Sequence, residues 1–153
     1  MILIRRAGLD DIDELIRMGR AFHAALDMSV CDLRFNEDSL KATCEWLMSG
    51  NGILLIAEDD KRVICGTIAG SYSPWMLDFS QVMLKENWWW VEPDFRGTPV
   101  GRWLEESMCR EAKLAGATHG IMGTRAGEIE ERLARIYKRK GYKPLERHFI
   151  KEY

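Results

Sequence analysis

Apolar and polar positions follow two different periods along this chain, and the switches between them lay out its elements. Ile2 to Arg5 reads as a short first strand. Ile12, Leu15, Ile16, Gly19, Phe22 and Leu26 then recur at helical spacing, with Asp11 and Glu14 set like the two ends of a capping box. Residues 27–37 carry polar and acidic groups with no clear period. A second helix carries Leu40, Cys44, Leu47 and Met48 on one face and ends at the stretch SGNG. The segment ILLIAEDDKRVICGTIAG is two runs of branched residues joined at Asp59 and Asp60, which predicts an antiparallel hairpin. Ser71 to Ser80, with Pro74 in its middle, reads as a connection. The run QVMLKENWWWV predicts a further strand, and Trp88, Trp89 and Trp90 in succession put large rings on both faces, as a central strand does.

From Pro99 to Ala115, the residues Val100, Trp103, Leu104, Ser107, Met108 and Ala112 trace the inner stripe of a helix. ATHGIMG is a short strand after it, so strand, turn, helix and strand form a unit that sets two strands in parallel. A last helix, Glu128 to Lys140, turns Ile129, Leu133, Ile136 and Tyr137 inward and stops at Gly141. The tail YKPLERHFIKEY supplies one or two closing strands. With no repeat, low-complexity tract or linker, the pattern predicts one α/β domain over residues 1–153, with strands on both sides of a central βαβ element.

Composition narrows the partners. The chain has 153 residues, of which 46% are hydrophobic and 30% charged, enough to bury a core without disulfides or metal. A net charge of −2 supplies no global basic field, so neither nucleic acid nor a membrane is expected as a partner, and any anion site is local. Cys31, Cys44, Cys65 and Cys109 form no CxxC pair and have no histidine at zinc-site spacing, so reduced thiols and no metal are expected. Acidic residues interrupt the N-terminal segment where a signal peptide needs its apolar core, which points to a cytoplasmic protein.

One stretch carries candidate chemistry. In WVEPDFRGTPVGRWL an apolar strand bends and restarts at once as a helix. A helix N-terminus offers unpartnered N–H groups and the positive end of a dipole, and glycines let an anion approach the backbone. Arg96 and Arg102 bracket the bend, Gly97 and Gly101 clear side chains from it, and Pro99 presets a helical φ. Those features fit a pyrophosphate cradle, or equally a plain strand-to-helix turn. Neither the mononucleotide P-loop nor the dinucleotide G-x-G-x-x-G pattern is present.

The same stretch resembles the acetyl-CoA motif of the GCN5-related N-acetyltransferases (GNAT), Q/R-x-x-G-x-G/A, often preceded by V-x-P. Val91, Pro93, Arg96, Gly97 and Gly101 stand in register, and Pro99 replaces the usual glycine. IYKRKGY, residues 136–142, is similar to the family's LYEKLGF segment, with its tyrosine at Tyr137, whereas the asparagine often found seven residues earlier is here Glu130. The order of elements is similar to the family's over nearly the whole chain. The resemblance implies a GNAT-like fold: a mixed central sheet with antiparallel N-terminal strands, a parallel βαβ acetyl-CoA unit and helices on both faces. It implies acetyl-CoA as donor, contacted by Trp90, Val91, Arg96, Gly97, Thr98, Val100, Gly101 and Arg102.

The implied reaction is direct attack of a neutral amine on the thioester. Tyr137, whose phenol has an ordinary pKa near ~10, is the implied acid for the departing thiolate, and backbone N–H groups within Trp89–Val91 steady the oxyanion. Tyr137 also suits a core aromatic. Glu86 and Glu92 are the candidate bases, each also readable as a solvated carboxylate. His23, His119 and His148 read as structural or surface residues. Asp27 and Asp32, in the loop between the first two helices, favour a cationic acceptor, either a small molecule or a peptide amine, and also read as a merely solvated charged loop. Trp75, Met76 and Phe79 form an apolar wall, a homodimer contact or plain core. The competing reading is a non-enzymatic acyl-CoA-binding or regulatory protein of the same fold, acting through protein contacts.

Overall fold

Strand β1 spans Ile2–Arg6, helix α1 Ile12–Ala25 and helix α2 Glu37–Trp46. Strands β2 (Gly52–Asp59), β3 (Ile64–Trp75) and β4 (Asp78–Val91) follow. Helix α3 (Val100–Leu114), strand β5 (His119–Ile121) and helix α4 (Glu128–Arg139) complete the order. This computed structural model describes residues 1–26, 31–124 and 128–153, and only the backbone of residues 128 and 129. The chain divides into two compact units, Met1–Asp27 with Arg34–Ile121, and Met28–Leu33 with Met122–Tyr153.

In the first unit the strands form one sheet in the order β1-β2-β3-β4-β5. The first four are antiparallel neighbours, and β5 runs parallel to β4, paired from Met83↔His119 to Lys85↔Ile121. Strand β2 is buried from Gly52 to Ala57 because helices cover both of its faces. Leu54 and Ile56 join Ile12, Leu15 and Met18 of α1, Cys44 of α2 and Trp90 of β4 in one apolar cluster. Ile53 and Leu55 alternate to the opposite face, the side on which Val100, Leu104 and Met108 of α3 are buried. The mixed sheet, antiparallel through β4 with a parallel β4-α3-β5 unit, is the architecture that the sequence predicts.

Arg5 fastens the first elements together. Its guanidinium grips both oxygens of Asp11, at 2.8 and 2.9 Å, and reaches Glu58 of β2 at 2.7 Å. These bonds from Arg5, aided by the Gly8 N–H, hold the Asp11 carboxyl below its usual pKa against the opposing effect of burial. The capping contact therefore falls a turn earlier than the spacing implies: Asp11 accepts the Gly8 N–H at 2.7 Å, while Glu14 pairs with Arg17.

Three further expectations are corrected. Ser71 to Ser80 is not a connection: β3 continues to Trp75 and turns at Met76 and Leu77 into β4. Pro74 is tolerated because the last β2–β3 pair is Gly52↔Ser71, so among the described residues this part of β3 has a strand on one side only. The tail forms no strand over residues 142–153; its charged residues leave too few apolar positions to bury, and Phe149 is 95% exposed. Trp103 lies at the edge of the α3 stripe and is 37% exposed, while Glu105 is buried.

Candidate functional site

The site grows from the far end of β4. Opposite β3 the register steps from Ala69↔Trp88 to Gly70↔Glu86, so Asn87 is the extra residue of a bulge. Strand β5 pairs only with Met83–Lys85. From Glu86 to Val91, β4 is therefore held by β3 on one edge and has no strand on the other among the described residues. Past the bulge the tryptophans divide between the faces. Trp88 and Trp90 pack on the α1/α2 cluster, with Phe22 edge-on to Trp90 at 6.2 Å. Trp89 and Val91 face α3, and a Cβ placed on Gly101 would meet them at 3.4 and 3.5 Å. The indole N–H groups of Trp89 and Trp90 are buried with no hydrogen-bond partner among the described residues.

The bend after β4 is a single 3-10 turn over Pro93–Phe95, closed by the Arg96 N–H on the Pro93 carbonyl at 3.1 Å. Gly97 follows at φ +81, where a side chain costs about 1–2 kcal/mol. The Thr98 hydroxyl donates back to the Phe95 carbonyl at 2.6 Å. Pro99, at φ −68, is the N-cap, and its carbonyl accepts the first helical bond from the Trp103 N–H at 2.9 Å. The Val100 N–H has only a 3.4 Å approach to the Thr98 hydroxyl. The N–H groups of Gly97, Gly101 and Arg102 donate to nothing among the described residues. Three open backbone donors within six residues, at the positive end of a fifteen-residue helix, fit a phosphate group. Pro99 contributes none.

The two arginines differ. The Arg96 guanidinium lies 4.6 Å from the centre of the Trp90 ring, and its Nε–H donates to the Val91 carbonyl at 3.0 Å. It braces the turn against β4. Arg102 is more than half exposed and 3.9 Å from Glu106, a loose pairing that leaves its charge facing water.

Tyr137, in the second unit, is 7% exposed; its hydroxyl donates to the Gly123 carbonyl at 3.1 Å and its ring lies 5.5 Å from Tyr142. Gly141, at φ +90, ends the helix that carries it. Glu86 is half-buried on β4 beside the bulge. Glu92, just past β4, is bound by Arg17 of α1, which also holds Glu14. Asp32 is exposed in the second unit, and Asp27 lies outside the described residues.

Sequence reasoning missed the Arg17–Glu92 pair, because 75 residues separate the partners and nothing local marks either one. It also missed the bulge at Asn87. Burial raises the Cys44 thiol to about 11, with Glu45 adding to the effect. Among the described residues no group of three or more His, Cys, Asp or Glu is placed to hold a metal ion. No helix described is long and apolar enough to cross a membrane.

Comparison with known proteins agrees with this geometry. The model of the acetyltransferase (GNAT) family matches residues 22–142. No curated protein sequence matches the chain. Among solved structures, an aminoglycoside N-acetyltransferase determined with coenzyme A is similar at TM-score 0.76 and 17% identity, covering 100% of this chain and 95% of that one. A ribosomal-protein-alanine N-acetyltransferase from Brucella melitensis is similar at TM-score 0.76 and 14% identity, covering 99% of both chains. Glucosamine-6-phosphate N-acetyltransferase from Arabidopsis thaliana is similar at TM-score 0.73 and 16% identity, covering 100% of this chain and 99% of that one. At these identities the likeness is one of fold.

Proposed function

This chain belongs to the acetyltransferase (GNAT) family, and on that premise we propose that it moves an acetyl group from acetyl-CoA to an amine. The observation that carries the proposal is the set of N–H groups on Gly97, Gly101 and Arg102 at the start of α3 that donate to nothing among the described residues. The family gives the donor. The loop's donors support a seat there for its pyrophosphate.

Acetyl-CoA supplies a thioester carbonyl open to attack by a nitrogen nucleophile; the chain's own residues bind, orient and move protons. Gly97, Gly101 and Arg102 donate their N–H groups to phosphate oxygens, and the Arg102 side chain adds charge. Thr98 and Val100 shape the loop between them, and Arg96 holds it on Trp90 and Val91. Without an N–H at Pro99 the cradle relies on the donors flanking it. Trp90 and Val91, at the end of β4, would line the acyl arm. Glu92 or Glu86 takes a proton from the incoming ammonium, because only a neutral amine has a lone pair to donate. Arg17 fixes the Glu92 carboxylate in place for that role. By resemblance to the family, Tyr137, whose hydroxyl donates to the Gly123 carbonyl, would supply the proton for the departing sulfur. Asp27 and Asp32 draw a cationic acceptor, a small molecule or a peptide amine.

Calorimetric titration with acetyl-CoA, coenzyme A and ATP tests the first half of the proposal. Saturable binding of both coenzymes with no response to ATP is expected. Failure of both to bind overturns it. A screen of amines for thiol release tests the second half, and binding without turnover on any amine favours the non-enzymatic acyl-CoA-binding reading.

A further inference from the structure

The β3–β4 hairpin reaches well past the rest of the sheet. Strand β2 stops pairing at Gly52↔Ser71 and β5 reaches only to Met83, so Tyr72 to Gln81 form a two-stranded ribbon with no strand on either side among the described residues. Its tip presents four large apolar side chains to water. Trp75 is 39% exposed, Met76 75%, Leu77 80% and Phe79 75%. Four such residues within five positions form a contiguous patch rather than the scattered apolar residues of an ordinary surface.

Charge identifies the partner. Between Arg62 and Lys85 the only charged residue is Asp78. Its carboxylate is already satisfied within the turn by the Ser80 N–H at 3.0 Å, the Ser80 hydroxyl at 2.7 Å and the Gln81 amide at 3.1 Å. The tip therefore asks nothing ionic of a partner and offers no cation to an anionic lipid surface. A complementary surface is apolar, uncharged and of similar size, which a second copy of the same tip supplies. From ordinary side-chain areas, the four residues expose roughly 500–600 Å² per chain, most of the ~800 Å² per partner of a standard interface. Pro74 withholds an N–H from the ribbon, which disfavours open-ended strand addition and leaves side-chain packing as the mode of contact.

We propose that the tip formed by Trp75, Met76, Leu77 and Phe79 is a homodimer contact, in which two chains meet about a two-fold axis. In such an isologous contact each tip covers the other, so the assembly closes at two copies. The phosphate loop lies at the other end of β4, about 40 Å along the strand, so the contact leaves it open. The inference does not depend on the acetyl-transfer reading.

Sedimentation equilibrium of the full chain from about 5 to 100 μM tests it, a range that spans the weaker end of affinities for interfaces of this size. The expected result is a species of twice the 17.7 kDa chain mass. The double variant Met76→Asp/Phe79→Asp, altered only at exposed positions, is expected to keep its circular dichroism spectrum and weaken self-association by at least ~100-fold. Leu77→Cys, gently oxidised, is expected to form a covalent dimer that the wild type does not. A wild type that stays single throughout the range, or a dimer that survives the double substitution, overturns the proposal. So does a single-chain wild type that floats with neutral phosphatidylcholine vesicles, which assigns the tip to a lipid surface.

Discussion

Arg96 separates two ways in which a positive residue can serve a phosphate loop. Its guanidinium lies 4.6 Å from the Trp90 ring and donates through Nε to the Val91 carbonyl at 3.0 Å. An exposed cation over an indole contributes ~0.5–1 kcal/mol, and a charge-assisted hydrogen bond near the surface ~1.5 kcal/mol. Arg96→Ala therefore removes about 2 kcal/mol of bracing. If all of that ordering serves the cofactor, binding of acetyl-CoA weakens by up to ~30-fold, at 1.4 kcal/mol for each factor of ten. Arg96→Lys keeps the charge but loses the flat fork and the Nε bond, so as a failed brace it falls close to the alanine variant. A direct phosphate contact behaves differently. Lysine would retain most of the affinity, and wild-type binding would fall more steeply with salt than that of Arg96→Ala. Calorimetry on the three proteins at low and high salt decides between them, with wild-type affinity in Arg96→Lys refuting the bracing argument.

Gly101→Ala is expected to fold with stability unchanged or up to ~1 kcal/mol higher, because the new Cβ meets Trp89 and Val91 at ordinary contact distances and alanine favours a helix; a fall above ~2 kcal/mol in urea melts would refute that. Tyr137→Phe loses its bond to Gly123, about 1 kcal/mol of stability, and is expected to lower turnover ~100-fold with cofactor affinity changed less than ~2-fold. Equal turnover removes Tyr137 from the reaction. Burial raises the Cys44 thiol to about 11 from an unfolded value near ~8.5, so the folded state favours the protonated form. That contribution is intact below ~8.5 and lost as pH rises toward about 11, so stability should fall across this window in the wild type and less in Cys44→Ala.

Much of the site was legible in the primary structure for local reasons. The spacing of Arg96, Gly97, Pro99 and Gly101 is a property of one turn, and a turn at the start of a helix exposes its N–H groups whatever surrounds it. The inner positions Val100, Leu104, Met108 and Ala112 follow from helical period alone. Other features had no local signature. The bulge at Asn87 depends on the register between β3 and β4, and Arg17 meets Glu92 only because α1 packs on the face of the sheet that holds Trp90. Pro74 read as a break, since the sequence cannot show that β3 outruns its neighbour there.

By itself the sequence determined the order of elements from β1 to α4, the turn that leaves N–H groups open at the start of α3 and the family to which the chain belongs, because these rest on short stretches of neighbouring residues. Only the tertiary structure decided how the three tryptophans divide between the faces of the sheet, that Arg96 braces rather than merely charges its loop, and that four apolar residues stand in water at the end of a long ribbon. Those outcomes depend on which strand lies beside which and where each one stops. Pairing of that kind is settled by packing over long separations in the chain, where local periodicity carries no information.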